Sequence, residues 1–331
     1  MLETSAPDPH AASIASSGSG GADGAAGSVG FGDLVIALGG AGSRASGGAA
    51  DASAAEFTMV PLAEARVPAA DLAVTRGDGV FESIGVVGGR FIELERHLAR
   101  LGHSAQMLEL EAPDLAAFEA AARQGVAAHE PAPELLVKLF HSRGIEGAGM
   151  ASGWVEVLTG PDHSAARRDG IRAVVLDRGY RSDIASTAPW LLQGAKTLSY
   201  ALNKAALREA ARRGADDVIF VSTDGIVLEG PTANVLVRQG DLFRTPRTDL
   251  GILAGTTQAA VFGTLAELGH PTEEAVLSPD DLRTADGVWL LSSGRLMAPV
   301  RELDGAPLPV DRALTADLLA RTFGVGASRT A

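Results

Sequence analysis

The sequence predicts an α+β protein of two domains, and three observations carry that expectation. Its 331 residues are 46% hydrophobic, enough for more than one core, so a chain disordered throughout is excluded. Strand and helix patterns follow one another in mixed order rather than as a regular βαβ repeat. Between two strand patterns lies Gly160-Pro161-Asp162-His163-Ser164, a cluster of turn formers suited to a break between domains.

Of the first 56 residues, 36 are Gly, Ala or Ser, which bury too little apolar area to offset the entropy of ordering them. Residues 1–30 are therefore expected as a tail and residues 39–55 as a flexible insertion. Leu34–Leu38 between them, a short β-prone apolar run, is expected as the first strand. Gly40-Ala41-Gly42-Ser43-Arg44-Ala45 has the spacing of a dinucleotide-binding turn, but Ser46-Gly47-Gly48 interrupts the helix such a turn needs.

From Phe57 the composition becomes globular. Ile84–Val87 and Arg90–Ile92 flank Gly88-Gly89 as a hairpin, and Leu94–Leu108 and Ala116–Ala128 read as helices. Leu135–Phe140 and Trp154–Thr159 read as strands. Together they make a small first domain, residues 31–162, with residues 163–168 as linker and residues 169–326 as a larger second domain.

In the second domain a strand is expected at Ile171–Leu176 and a helix at Ser199–Arg213, with Gly214 where a C-cap belongs. Val218–Ser222, the Asp224-Gly225 turn and Ile226–Leu228 form a hairpin pattern, continued by Asn234–Arg238. A helix opens at Gly255-Thr256-Thr257 and runs to about Leu268; Val288–Ser292 is a strand and Ala313–Phe323 a terminal helix.

A net charge of −13 argues against nucleic acid and anionic membrane as partners, since both need a basic face. No apolar run approaches the ~18 residues of a membrane helix. With no cysteine there is no disulfide, thiolate metal site or catalytic thiol; no metal is expected, and the expected compartment is the cytoplasm. The basic residues are 25 Arg and 3 Lys, namely Lys138, Lys196 and Lys204. Lysine chemistry thus has three candidates.

Lys196 follows an apolar stretch containing Trp190 and precedes a helix, a junction where a lysine can be partly desolvated and nucleophilic. Taken alone it reads first as a surface lysine at a helix start. Glu229, at the end of the hairpin, can fix a proton on a pyridine nitrogen, or be an exposed strand-end acid. In Gly251-Ile252-Leu253-Ala254-Gly255-Thr256-Thr257, glycines precede a helix start whose N–H and hydroxyl groups suit a phosphate, or are simply a helix cap. A lysine, an acid and an anion-binding helix start are together what pyridoxal phosphate requires.

Five blocks carry a resemblance. They are Arg76-Gly77-Asp78-Gly79-Val80-Phe81-Glu82, His97-Leu98-Ala99-Arg100-Leu101, Lys196-Thr197-Leu198-Ser199-Tyr200, Glu229-Gly230-Pro231-Thr232-Ala233-Asn234 and Gly255-Thr256-Thr257. In that order they resemble the fold-type IV, or class IV, pyridoxal-phosphate enzymes, which include D-amino-acid and branched-chain aminotransferases and 4-amino-4-deoxychorismate lyases. The resemblance spans about Leu34 to Arg321 and implies a two-domain, D-amino-acid-aminotransferase-like fold with the cofactor at the domain interface, and a homodimer. It implies Lys196 as the Schiff-base lysine and catalytic residue. Glu229 falls as partner of the pyridine nitrogen, Arg100, Thr256 and Thr257 as phosphate ligands, and Tyr200 near the ring hydroxyl. Asn234 closes the cofactor-binding set; His97 reads equally as packing or site residue.

Within the family, Val137-Lys138-Leu139-Phe140-His141-Ser142-Arg143-Gly144-Ile145-Glu146-Gly147-Ala148-Gly149 most resembles the aminodeoxychorismate lyases. D-amino-acid aminotransferases carry an Arg-x-His pair just after this Arg-Gly, and Ile145–Met150 has neither residue. The resemblance therefore implies a lyase that expels pyruvate from an amino-acid-type substrate to leave 4-aminobenzoate for folate, with transamination of D-amino or branched-chain amino acids as the alternative. Arg143 and Arg295 are the cations expected to meet a dicarboxylic substrate. Ser199 stands where Asn is common, and Thr256-Thr257 replaces the more usual Ile-Thr or Met-Arg.

Overall fold

The computed structural model describes residues 32–38 and 57–326. The expected tail, the 39–55 insertion and the Gly40–Ala45 turn lie outside the described residues. Two sheets organise the rest. The first holds β1 (Leu34–Leu38), β2 (Thr58–Pro61), β3 (Gly79–Val87), β4 (Arg90–Phe91), β5 (Glu134–Ser142) and β6 (Ser152–Thr159) in the order β2-β1-β6-β5-β3-β4. Its strands pair antiparallel, with β3 and β5 in register over nine residues. Gly88 and Gly89 both take positive φ (55° and 81°), the conformation a tight β3–β4 turn needs and other residues resist.

Helix α1 (Leu72–Thr75) precedes β3; α2 (Leu94–Met107) and α3 (Leu115–Ala128) follow β4. Leu94, Leu98, Leu101 and Ala105 recur at helical spacing along α2 and bury against Val80, Ile84, Val86, Leu139 and Val157 of the sheet. Each fully buried Leu or Ile adds roughly 1.5–3 kcal/mol of transfer free energy to this core.

The second sheet contains β7 (Ile171–Asp177), β8 (Asp217–Val221), β9 (Asn234–Gln239), β10 (Leu242–Pro246), β11 (Thr272–Ala275), β12 (Gly287–Ser292), β13 (Leu296–Leu303) and β14 (Ala306–Pro307). Its order is β11-β10-β9-β12-β13-β7-β8, with β14 on β13. The pairs β10–β11, β13–β7 and β7–β8 are parallel. Around it lie α4 (Ser164–Asp169), α5 (Ile184–Thr187), α6 (Ala201–Arg212), α7 (Thr256–Glu267), α8 (Pro279–Arg283) and α9 (Arg312–Leu318). Val261 and Leu265 of α7 pack with Trp289, Leu236 and Phe243 on one face; Ala210 of α6 packs with Val174, Val218 and Phe220 on another. Among the described residues no helix is long and apolar enough to cross a membrane.

The segment 163–168, expected as a linker, joins the two sheets but is not a loop. Ser164-Ala165-Ala166-Arg167-Arg168 contains good helix formers and makes most of α4. Arg167 there is buried, gripping Glu134 of β5 at 2.6 and 2.7 Å and the Arg295 carbonyl at 2.9 Å. The hairpin expected over Val218–Ser222 and Ile226–Leu228 forms around the Asp224-Gly225 turn: the Ser222 N–H donates to the Ile226 carbonyl (2.8 Å), the Leu228 N–H to the Phe220 carbonyl (2.9 Å) and the Phe220 N–H to the Glu229 carbonyl (2.8 Å), with Val221 bridged to Val227.

Candidate active site

The short stretch before α6 is laid along the free edge of β3. The Phe81 N–H donates to the Lys196 carbonyl (3.0 Å) and the Leu198 N–H to the Gly79 carbonyl (2.8 Å). From the other side, the Ser104 hydroxyl of α2 accepts the Lys196 N–H at 3.1 Å. The approach requires glycine at 79, where a Cβ would lie 2.7 Å from the His141 carbonyl and 2.8 Å from Leu198. Lys196 Nζ sits 4.5 Å from the Phe81 ring centroid, so the lysine of the second sheet's chain segment is held by the first sheet. Lys196 is half-buried as a residue, yet protein surrounds its ammonium, and this burial lowers its pKa to about 8. Lys204 is exposed on α6, and Lys138 faces Glu156 at 3.4 Å.

Tyr200 meets the Phe81 ring edge-on at 5.4 Å, and its hydroxyl donates to the Pro231 carbonyl at 2.7 Å. Burial raises its pKa, so it stays a protonated donor. Two residues before Pro231, Glu229 Oε2 accepts the Leu253 N–H at 3.1 Å. Burial pushes the Glu229 pKa up to about 7, against the opposing pull of that amide and of Lys196.

Asn234 Nδ2 donates to the Leu253 carbonyl at 2.9 Å and so braces the loop that leads into α7. A Cβ at Gly255 would run into the Asn234 amide oxygen; only glycine lets the loop close this far. Helix α7 then starts at Thr256 with no side-chain cap, and Thr256 and Thr257 are both buried. Its first N–H groups are free to take an anion.

Above that helix start, Arg100 donates from Nε and one terminal nitrogen to Glu82 (2.7 and 2.8 Å), and from the other to the Ala254 carbonyl (2.6 Å). A guanidinium has five N–H donors, so two remain for a ligand. His97 Nδ1 lies 2.6 Å from Glu82, while Nε2 lies 3.0 Å from the Thr256 hydroxyl and 3.3 Å from that of Ser293. Burial alone would raise the Glu82 pKa, but Arg100 and His97 hold it down at about 2. Sequence reasoning gave Glu82 and Ser293 no role of their own. The spacing of His97 and Arg100, three apart on one helix face, was the available signal for a shared partner.

The two expected substrate cations do not join this cluster. Arg143 donates to both Asp78 oxygens (2.7 and 3.3 Å) and to the carbonyls of Leu108 (2.8 Å) and Glu109 (3.1 Å). It borders a surface pocket of about 330 Å³ with Leu72, Glu111 and Ile145. Arg295, in the same turn as Ser293, pairs with buried Asp217 at 2.6 Å.

Residues 79–303 match the family model of class IV amino-transferases. The chain belongs to the class IV aminotransferase family. Among its curated relatives is the bifunctional aminodeoxychorismate lyase / D-amino acid transaminase of Mycobacterium tuberculosis, 46% identical over 72% of this chain and 86% of that protein. Among solved structures, the fold IV transaminase of Curtobacterium pusillum has a TM-score of 0.81 and 52% identity, over 88% of this chain and 98% of its own. A hypothetical aminotransferase from M. tuberculosis, in its PLP-bound form, has a TM-score of 0.79 and 38% identity, over 88% and 99%. This class IV enzyme has the α+β fold of type IV and depends on pyridoxal phosphate. Its residues fit the cofactor: an enclosed lysine, a buried carboxyl ready to share a proton, and an uncapped helix start beside two unspent arginine N–H groups.

Proposed function

We propose that this enzyme is a 4-amino-4-deoxychorismate lyase, which releases pyruvate and leaves 4-aminobenzoate for folate synthesis. The observation that carries the reading is the Val137–Gly149 segment, lyase-like in pattern, whose continuation to Met150 offers no Arg-x-His pair and whose one arginine is bound to Asp78. The name of the 46% identical relative supports both this activity and a second, transamination of D-amino acids.

When bound, pyridoxal phosphate supplies a ring that takes up the electrons left by a broken C–H bond. In this reading Lys196 would hold the cofactor through its side-chain nitrogen. Its Nζ then takes the proton from the amine-bearing carbon, and a pKa near 8 leaves a useful neutral fraction for that task. Glu229 holds a proton at the ring nitrogen. Arg100 and the N–H groups of Thr256 and Thr257 bind the phosphate, Tyr200 lies near the ring hydroxyl, and Asn234 keeps the 253–255 loop in place. In the lyase the neighbouring C–O bond then breaks, and the departing enolpyruvate takes a proton on carbon to become pyruvate. A cytoplasmic homodimer acting on small amino-acid-type substrates, divided into domains at residues 163–168, completes the proposal.

Product analysis tests it. Purified enzyme is incubated with aminodeoxychorismate and, in parallel, with D-alanine plus 2-oxoglutarate; the reading expects 4-aminobenzoate from the first. Release of oxo acid and glutamate in the second, with no 4-aminobenzoate in the first, overturns the lyase assignment.

A further inference from the structure

Glu82 and His97 take no part in the chemistry above, yet they are among its most enclosed ionisable side chains, at 0% and 1% exposure. We propose that they are positioning residues for the phosphate seat: Glu82 aims the two unspent N–H groups of Arg100, and His97 fixes the direction of the Thr256 hydroxyl proton. The inference rests on the reading of Arg100 and Thr256 as parts of that seat.

The proton directions follow from what each group can do. Glu82 is ionised, because Arg100 and His97 oppose the effect of its burial, so its oxygens only accept. The His97 nitrogen 2.6 Å away must then carry the proton, which fixes the tautomer as Nδ1–H. Burial lowers the His97 pKa even though Glu82 raises it, so the ring is neutral and Nε2 is a bare lone pair.

One lone pair takes one good hydrogen bond. The Thr256 hydroxyl at 3.0 Å is better placed than that of Ser293 at 3.3 Å, so Thr256 donates inward to His97. What Thr256 offers a phosphate is its backbone N–H and not its O–H. The Ser293 and Thr257 hydroxyls, 3.5 Å apart, share one long hydrogen bond, which leaves one of their two protons available. Glu82 also offsets the charge of Arg100, whose side chain is only 9% exposed, so that the seat does not enclose a bare cation before the ligand arrives.

The test compares two probes on the full-length apo-protein: pyridoxal phosphate, and pyridoxal, which has the same aldehyde and ring without the phosphate. Dissociation constants come from fluorescence titration of wild type, Glu82→Gln, His97→Asn and His97→Gln. Glu82→Gln turns an N–H toward Arg100 or His97 and is expected to weaken pyridoxal phosphate about 10- to 100-fold with pyridoxal little changed. His97→Asn keeps a donor near Nδ1 but loses the acceptor for Thr256, and is expected to lose about tenfold selectively. His97→Gln restores an acceptor near Nε2 and should recover most of that loss. An unchanged ratio of the two constants in Glu82→Gln and His97→Asn, or an equal loss for both probes, overturns the relay. If Glu82→Gln does not fold, the two His97 variants decide. A wild type that binds both probes equally would instead remove the phosphate-seat reading, and the relay with it.

Discussion

Asp78 and Glu82 stand four residues apart in one glycine-rich block, and each holds an arginine with both carboxylate oxygens. The resemblance ends there. Asp78–Arg143 lies at the surface, with side chains 32% and 41% exposed, and Arg143 gives two of its other three donors to backbone carbonyls. Glu82–Arg100 is enclosed, at 0% and 9%, and Arg100 retains two N–H groups beside an uncapped helix start. A bidentate arginine is therefore no sign of a ligand site by itself. Hydrogen-bonding capacity left over in a buried place is what separates the two.

The comparison can be broken at its strongest point first. Arg100→Ala takes from buried Glu82 its one full cation and leaves it only the hydrogen bonds of His97 and the Ser83 N–H, which is expected to cost about 3–5 kcal/mol in chemical denaturation and to abolish tight cofactor binding. A loss below about 1 kcal/mol would place this pair with the exposed ones. Gly255→Ala comes next: the added methyl meets the Asn234 amide, with an expected cost of about 1–3 kcal/mol and weaker cofactor binding. Wild-type melting temperature and affinity in that variant would mean the loop closes less tightly than described.

The pH dependence sharpens the same contrast in opposite directions. Glu82, depressed in the folded protein from 4.5 to about 2, contributes stability that is complete above 4.5 and lost as pH falls toward 2. Glu229, raised from 4.5 to about 7, binds its proton more readily folded than unfolded, so its contribution is lost as pH rises through that interval. Melting curves of apo-protein should show the second effect flattened in Glu229→Gln; a variant with the wild-type slope would reject it. The smallest effect is expected for Arg143→Ala, about 0–1 kcal/mol with KM unchanged. A tenfold rise in KM would make Arg143 a substrate contact after all.

Much of this was legible before any coordinates. The strand Leu34–Leu38 and the Gly88-Gly89 hairpin appear as expected because local pattern decides them, and α7 begins at Thr256 as its glycines suggest. Strands β10, β11 and β13 carried less local signal; β13 is buried over most of its length, but Pro299 and the Arg301-Glu302 pair interrupt its apolar pattern. At the site, residue type and order pointed to Lys196, Glu229, Arg100 and the Thr256-Thr257 start. The carboxylate that holds Arg100 could not be chosen from sequence, since Asp78 and Glu82 are both acids in the same block and only strand alternation aims Glu82 at α2. Arg143 and Arg295 were singled out as cations, a criterion blind to the Asp78 and Asp217 that already face them.

The scarcity of lysine makes the central claim directly testable. Borohydride reduction of the cofactor-loaded enzyme, followed by peptide mass mapping, fixes the cofactor to whichever lysine carries it. The account predicts the added mass on Lys196 alone, with Lys138 and Lys204 unmodified; cofactor trapped on either of those two, or on no lysine at all, would contradict it.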